Sequence, residues 1–159
     1  DRQEDELLAL ARQHIGLRKG FEPFVEACGQ RGWPFHVISC GLDWYLRGFL
    51  PSGVAFTSYT AALEDGWRVR LPDDCDLPDG ADFKIHVMRA LEARHPGLEI
   101  VFIGDGRNDY PIARECGRVF AIRDSTLAHL CRRDGLPVEE FESFETVAAA
   151  LMDGVEQGA

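Results

Sequence analysis

Two acidic side chains, Asp105 and Asp109, have the types and the spacing needed for metal chemistry. They lie in the stretch EIVFIGDGRNDYPIA, where an apolar run that we predict to be a fully buried strand meets a predicted helix. Asp105 follows the strand directly and Asp109 comes one turn later, so both carboxylates can point at one place. Carboxylate oxygens suit Mg²⁺, which keeps water molecules in the rest of its coordination shell. Asp109 also stands before Tyr110 and Pro111, as a helix N-cap does, so capping and metal binding are both open to it.

Two further side chains, Ser39 and Lys84, indicate anion binding. Ser39 is expected to end a short apolar strand in VISCG, where its hydroxyl and the following backbone N–H groups can hold a phosphate. A serine there can also cap the next helix, a role for which Asp43 competes. Lys84, in GADFKIH, falls in the first turn of a predicted helix, where the helix dipole disfavours a cation. It either neutralises an anion beside the carboxylates or is a solvated surface lysine.

Composition excludes several classes of function. The 159 residues include 17 basic and 27 acidic side chains, and the net charge of −10 argues against non-specific binding to nucleic acid or to an anionic membrane. No apolar run has the length of a membrane span. The five cysteines are scattered without a CxxC pair, which favours reduced thiols and a cytoplasmic location. The histidines do not cluster and are expected to pack or to lie at the surface.

Hydrophobic periodicity predicts alternating helices and strands. Helices are expected at 4–15, 21–30, 41–50, 82–94, 110–116, 125–133 and 143–152, strands at 34–40, 99–104 and 118–123, and an antiparallel hairpin within 54–71 whose turn is 64–66. This order predicts an α/β fold with a parallel sheet covered by helices on both faces. Ligands of such sheets bind at the carboxyl ends of the strands, where Ser39 and Asp105 are expected to lie.

The motifs VISCG, FKIHVMRAL and IGDGRNDYPIA, in this order, resemble those of haloacid dehalogenase superfamily phosphatases. The likeness is greatest to the phosphoserine-phosphatase-like branch, and within it to the 2-hydroxy-3-keto-5-methylthiopentenyl-1-phosphate phosphatase-like group. The segment LRKGFEPFVEACGQRGWPFHVISCGLDWYL resembles that group's helix, strand and second motif, and LCRRDGLPVEEFESFETVAAAL resembles its last helix, strand and helix. The resemblance covers nearly the whole sequence and implies a Rossmann-like haloacid dehalogenase core.

The resemblance also implies a role for each matching residue. Ser39 corresponds to the phosphate-binding hydroxyl and Lys84 to the lysine that steadies nucleophile and phosphate. Asp105 and Asp109 correspond to the ligands of Mg²⁺. The remaining positions with an implied phosphate contact are Cys40, Gly41 and Asn108. At the first of these the family usually has glycine or another small residue, so the cysteine side chain either crowds the phosphate or points away.

The largest departure from the family is an absence. Family enzymes attack phosphorus with an aspartate of an N-terminal DxDx[TV] motif, whose second aspartate acts as acid and base. No such motif follows a strand here, since the letters DCDL at 74–77 follow a turn. We therefore expect 1–18 to be the remnant of a helical cap and 19–159 the core. The first strand, most of the cap and the nucleophile are then expected upstream of Asp1.

The implied strand order 5-4-1-2-3 places the missing strand between PFHVIS and EIVFIG. Each buried backbone group left without a partner costs about 1–3 kcal/mol. The strand is therefore expected to come from an upstream segment, which we prefer, or from a second chain, unless the sheet is rearranged. The hairpin is expected to form a flap through Tyr59 and Trp67, and Trp44 and Tyr45 either line the pocket or pack in the core.

Two functions remain open from the sequence. The first is a Mg²⁺-dependent phosphomonoester hydrolase that acts on a small phosphorylated metabolite through an aspartyl-phosphate intermediate. In that case the chain without its upstream nucleophile is expected to be inactive alone. The second is a non-catalytic phosphatase-like domain that binds metal, an anion or a partner protein.

Overall fold

A computed structural model of the chain describes residues 2–64, 66–73 and 75–156. Asp65 in the predicted hairpin turn, Asp74 in DCDL and residues 157–159 lie outside the described residues. The helices are α1 Arg2–Arg12, α2 Phe21–Gln30, α3 Asp43–Phe49, α4 Phe83–Arg94, α5 Tyr110–Ala113, α6 Thr126–Arg133 and α7 Phe144–Glu156. The strands are β1 His36–Leu42, β2 Ala55–Glu64, β3 Gly66–Arg70, β4 Val101–Gly104, β5 Arg118–Ile122 and β6 Glu139–Phe141. The chain divides into two compact units, Asp1–Asp76 and Leu77–Ala159.

The first unit contains a three-stranded sheet in the order β1-β2-β3. β1 pairs with β2 in parallel, and β2 pairs with β3 as an antiparallel hairpin. The predicted hairpin is therefore present, and it shares its first strand with the parallel part of the sheet. The β1–β2 register passes from Ser39 opposite Ser58 to Leu42 opposite Tyr59, so Cys40 and Gly41 form a bulge.

Aromatic packing holds α2 against the segment that leads into β1. Phe21 and Phe24 on one face of α2 are buried, and the ring of each meets the ring of Phe35 edge-on at 5.8 Å between centroids. α1 lies against α3 where Gly48 has no side chain, since a Cβ there would lie 2.4 Å from Leu8 Cδ1. This glycine allows the two helices to approach closely.

The second unit contains a parallel sheet in the order β4-β5-β6. Its core is built around β5, whose Val119 and Ala121 pack with Leu127 and Cys131 of α6. β4, predicted to be fully buried, is half-buried along its length. The reason is its place at the edge of this sheet, where β5 is the only strand with which it pairs in the described part of the chain.

The sequence predicted parallel pairing, helices between the strands and the hairpin, and the structure has all three. The described backbone hydrogen bonds form two three-stranded sheets, one in each unit. Helix bounds agree with the predicted ones within a few residues, except that α5 is limited to Tyr110–Ala113 and is preceded by a 3-10 turn, Arg107–Asp109. Helices with the length and apolar character of a membrane span do not occur among the described residues.

Core packing in the second unit gives a stability prediction. Leu127→Ala should lower the free energy of unfolding by about 2–5 kcal/mol, because a fully buried leucine leaves a cavity when it is truncated. Leu98→Ala, at a side chain that is 54% exposed in the same unit, is the matched control and should change it by less than about 0.5 kcal/mol. Urea unfolding followed by circular dichroism measures both. Equal losses in the two variants would contradict the assignment of the core.

Candidate functional site

The carboxylate of Asp109 organises the turn that follows β4. The side chain is 5% exposed, and its Oδ2 accepts backbone N–H groups from Asp105 at 2.9 Å and from Gly106 at 2.8 Å. Asp109 stands at the N-cap position of α5, yet its side chain makes no capping hydrogen bond to that helix. The carboxylate reaches back toward β4 instead of forward into α5, so capping of α5 does not explain this residue.

Lys84 completes the binding of the same carboxylate. Its Nζ donates to Asp109 Oδ1 at 2.5 Å, and only 13% of the lysine side chain and 6% of the aspartate side chain are exposed. The alternative of a solvated surface lysine is therefore wrong. Removing one member of a pair buried to this degree leaves the other charge without compensation.

Asp82 fixes the position from which Lys84 reaches the turn. It is the N-cap of α4, and its side chain accepts the backbone N–H of Ile85 at 3.0 Å. Phe83, the next residue, is buried and anchors the first turn of the helix. Sequence reasoning missed Asp82, although an aspartate directly before an apolar helical pattern is a recognisable N-cap signal.

Gly104, the last residue of β4, makes the approach of Asp109 possible. A Cβ at this position would lie 2.8 Å from Asp109 Oδ2, 2.9 Å from its Cγ and 2.9 Å from Phe102 Cε1. Cβ atoms in proteins essentially never approach non-bonded atoms this closely. The carboxylate therefore occupies the space that any other residue at position 104 would fill.

Asp105 presents a carboxylate that is exposed and for which the described residues supply no hydrogen-bond or ion-pair partner. Its backbone is held firmly, because its carbonyl oxygen accepts the N–H of Leu127 at 2.9 Å in the first turn of α6. That helix begins at its N-cap Ser125, whose side chain accepts the N–H of Ala128 at 3.2 Å. The backbone of Asp105 is thus held by a hydrogen bond, whereas its carboxylate is exposed. Asn108, in the same turn, is also exposed.

A second anchor of the turn was not predicted from the sequence. Tyr110 Oη donates to Asp134 Oδ2 just beyond the end of α6. The hydrogen bonds from Arg133 and from Tyr110 hold the pKa of Asp134 well below its usual range. The hydrogen bond to Asp134 in turn raises the pKa of Tyr110. Both ends of α6 therefore contact the turn that carries Asp105 and Asp109.

The chemistry of this donor set fits a hard divalent cation such as Mg²⁺. Asp105 has two open carboxylate oxygens, and Asp109 Oδ1 has one described partner, Lys84, which leaves room for a second. Mg²⁺ takes one or two carboxylates and completes its shell with water and substrate oxygens. Groups of three His, Cys, Asp or Glu side chains able to hold a metal are not found within the described ranges.

Ser39, Cys40 and Gly41 form a bulge in the first unit. The strand does not end at Ser39 as predicted, because β1 continues to Leu42. The reason is local: Gly41 N–H donates to Ser39 Oγ at 3.0 Å, and the chain returns to pair with β2 after the bulge. Cys40 is exposed.

Asp43, a predicted competitor for the N-cap of α3, binds other groups. Its Oδ1 accepts Ala61 N–H at 3.4 Å and its Oδ2 accepts from Arg47 at 3.2 Å, and no side chain caps α3. Ser39 likewise makes no cap, because its Oγ accepts the Gly41 N–H within the bulge. The structure brings Lys84, Asp105 and Asp109 together in the second unit and describes Ser39 within the first.

A separate cavity of about 240 Å³ lies at the amino end of β4, the end away from Asp105. It is lined by Met88, Cys116 and the three acidic residues Glu92, Glu99 and Glu115. Burial, Glu115 and Glu92 raise the pKa of the Cys116 thiol to about 11. The Sγ of Cys116 lies 3.6 Å from Met88 Sδ, so the thiol is in contact with the methionine side chain.

Comparison with known proteins places these features in a family context. Residues 1–114 match the model of the haloacid dehalogenase-like hydrolase family. The chain is 29% identical to a 2-hydroxy-3-keto-5-methylthiopentenyl-1-phosphate phosphatase of Exiguobacterium sp., with 96% of this chain and 72% of that protein covered. It is 31% identical to the protein of the same name from Geobacillus kaustophilus, covering 92% of this chain and 68% of that protein. A polyol phosphate phosphatase of Saccharomyces cerevisiae is 24% identical, with coverages of 92% and 67%.

The close contact at Gly104 gives a prediction for this turn. Gly104→Ala should lower the free energy of unfolding by about 1–3 kcal/mol, because the new methyl group must displace the Asp109 carboxylate or Phe102. Gly106→Ala is the matched control, since a Cβ there lies 3.5 Å from Asp109 Oδ2, an ordinary contact. Thermal and urea unfolding compare the two. A Gly104→Ala protein as stable as the control would contradict the described packing.

The environment of Cys116 predicts slow alkylation. With its pKa raised to about 11, roughly one thousandth of this thiol is thiolate at pH 8, and that fraction rises about tenfold per pH unit below the pKa. Iodoacetamide at pH 8 should therefore label the exposed Cys40 well before Cys116. Peptide mass spectrometry of timed samples measures both sites. Labelling of Cys116 at the rate of Cys40 would contradict the burial.

Proposed function

Because the chain belongs to the haloacid dehalogenase-like hydrolases, we propose that it hydrolyses the phosphate monoester of a small metabolite in a Mg²⁺-dependent reaction. The relatives described above are named as phosphatases of small phosphorylated compounds, which supports this substrate class. The observation that carries the proposal is the buried contact of Lys84 with Asp109 beside the open carboxylate of Asp105. A purely structural role of the turn gives no reason to bring an ammonium group and two carboxylates together there.

The proposed roles follow from which carboxylate oxygens already accept hydrogen bonds. Asp105, whose oxygens are open, binds Mg²⁺ directly. Asp109 holds the turn and Lys84 in place and offers its remaining lone pair to the same cation. When bound, Mg²⁺ offsets charge on the phosphoryl group and orients it for displacement. Lys84 stabilises the same developing negative charge with its ammonium group.

Phosphate contacts are assigned to the remaining candidates. Ser39 donates its hydroxyl to a phosphate oxygen, and the N–H groups of the bulge at Cys40 and Gly41 are the second set of donors. Ser39 Oγ accepts the Gly41 N–H at 3.0 Å, and the same hydroxyl keeps its own proton to donate to the anion. Asn108, exposed in the turn after β4, supplies a further polar contact.

The nucleophile is proposed to be an aspartate upstream of Asp1. Its carboxylate oxygen forms a bond to phosphorus while the bond to the alkoxide leaving group breaks, and the leaving oxygen takes a proton from an acid beside it. Water then cleaves the aspartyl phosphate and releases inorganic phosphate. We also propose that 1–18 is the remnant of a helical cap, that the upstream segment or a second chain completes the sheet, and that the protein is cytoplasmic.

The test uses the full natural product that includes any segment upstream of Asp1. Hydrolysis of p-nitrophenyl phosphate should require Mg²⁺ and stop with EDTA. Asp105→Asn should lower kcat at least a hundredfold and leave the melting temperature unchanged, because this side chain has no described partner to lose. Asp5→Asn, at an exposed carboxylate on α1, is the matched control and should keep full activity.

Asp109→Asn should behave differently from Asp105→Asn. The amide keeps one acceptor but removes the charge that binds Lys84, so the free energy of unfolding should fall by about 1–3 kcal/mol along with kcat. Differential scanning calorimetry and steady-state kinetics separate the two effects. Activity that survives Asp105→Asn would overturn the metal assignment. Absence of hydrolysis in the wild-type product, with Mg²⁺ binding retained, would favour the non-catalytic alternative.

A further inference from the structure

One helix of the second unit, α6, is bonded to both ends of the turn 105–110, which follows β4. At the start of the helix, the N–H of Leu127 donates to the carbonyl oxygen of Asp105 at 2.9 Å. Just beyond the end of the helix, Asp134 accepts a hydrogen bond from the hydroxyl of Tyr110. Leu127 and Asp134 are seven residues apart, which is about 10 Å along a helix. The turn is therefore held at two separate points of one rigid element.

The acceptor at the end of α6 is charged and held in place. Arg133 donates to both oxygens of Asp134, from Nε to Oδ1 at 2.6 Å and from Nη2 to Oδ2 at 2.8 Å. These bonds and the one from Tyr110 hold the pKa of Asp134 well below its usual range, so the carboxylate is ionised at neutral pH. The same contact raises the pKa of Tyr110, so its hydroxyl keeps the proton that it donates. A hydrogen bond to an ionised acceptor is stronger than one between neutral groups.

Apolar packing, and not this hydrogen bond, holds α6 in the second unit. Leu127, Ala128 and Cys131 of α6 are fully buried in the core cluster. The ring of Tyr110 packs against the same cluster. The hydrogen bond itself lies at the surface, since 35% of the Asp134 side chain is exposed. Because a hydrogen bond is directional, it adds to this packing a fixed position of the tyrosine along the helix.

The direction of the Asp105 carboxylate depends on the backbone of this turn. The side chain is exposed and has no hydrogen-bond or ion-pair partner among the described residues. Its backbone is held on one side by Asp109 Oδ2, which accepts the Asp105 N–H at 2.9 Å, and on the other side by Leu127. Asp109 directly precedes Tyr110 in the chain. A shift of the tyrosine along α6 would therefore move the buried carboxylate, and with it the backbone that carries the exposed one.

We propose that Tyr110 and Asp134 are positioning residues that set the affinity of the turn for Mg²⁺. This rests on the proposed function, in which Asp105 and Asp109 bind the cation. The positioning pair does not contact the metal; it keeps the two carboxylates in a constant arrangement, as a cation with strict geometric demands requires. Partners one step removed from the ligands commonly change metal affinity by about 10–100-fold when they are lost.

Binding of Mg²⁺ to the full natural product, measured by isothermal titration calorimetry without substrate, tests the proposal. Tyr110→Phe keeps the ring and removes the donor, so it should raise the Kd for Mg²⁺ about tenfold. Asp134→Ala removes the acceptor and should raise the Kd by a similar factor. The two changes together should raise it no more than either alone, because they break the same hydrogen bond.

Two further variants control for the loss of a carboxylate. Asp134→Asn keeps an acceptor oxygen for the tyrosine hydroxyl and should restore most of the affinity that Asp134→Ala loses. Asp79→Ala, at an exposed carboxylate in a loop of the same unit, is the matched control and should leave the Kd unchanged. Effects of Tyr110→Phe and Asp134→Ala that simply add would overturn the proposal, since independent sites behave in that way.

Kinetics separate positioning from a purely structural role. In Tyr110→Phe, saturating Mg²⁺ should return kcat for p-nitrophenyl phosphate to within about twofold of the wild type, because only metal affinity is lost. A lower melting temperature with unchanged Mg²⁺ affinity in both variants would overturn the positioning role and leave the phosphatase proposal intact. A raised Kd in both variants of a product that hydrolyses no ester would support the positioning role and count against the phosphatase.

Discussion

The carboxylate of Asp109 is the interaction on which the candidate site depends. It sits where Gly104 has no side chain, and it binds two backbone N–H groups with one oxygen and the Lys84 ammonium with the other. In this way one buried charge joins the end of β4, the following turn and the start of α4. A negative group at this depth is stable only when it is paired and hydrogen-bonded as it is here. Asp105 owes its open, fixed position to these contacts.

The two aspartates therefore have different environments, although the sequence analysis gave both the same predicted role as metal ligands. Asp109 is buried and accepts three hydrogen bonds, so it shapes the turn and orients the lysine, and its Oδ1 keeps room for one further partner. The other is exposed, so its oxygens are open to a cation. Such a division is typical of sites in which the groups that bind a ligand are held in place by a surrounding set of hydrogen bonds. The anchors at the two ends of α6 extend that support into the core of the second unit.

Much of the fold and part of the site could be predicted from the sequence. Alternating apolar runs were sufficient for the helices, the strands and the hairpin, because local periodicity determines them. The family motifs led to Lys84 and Asp109, and the structure brings these two together. The bulge after Ser39 could not be predicted, since it depends on how β1 pairs with β2. The edge position of β4 agrees with the strand order that the resemblance implied, in which a neighbouring strand is missing. Trp44 Nε1 is buried without an acceptor among the described residues, and this depends on tertiary packing that no pattern in the sequence indicates.

The composition of β3 bears on how the protein behaves when concentrated. Within the described sheet β3 bonds to β2 alone, so its outer edge is a template on which a strand of another molecule can add. Arg68 and Arg70 alternate with the apolar residues along this edge and are exposed. The net charge of −10 makes two copies of the chain repel each other, which opposes self-association at low salt. Screening by salt weakens that repulsion, so colloidal stability should decline as ionic strength rises.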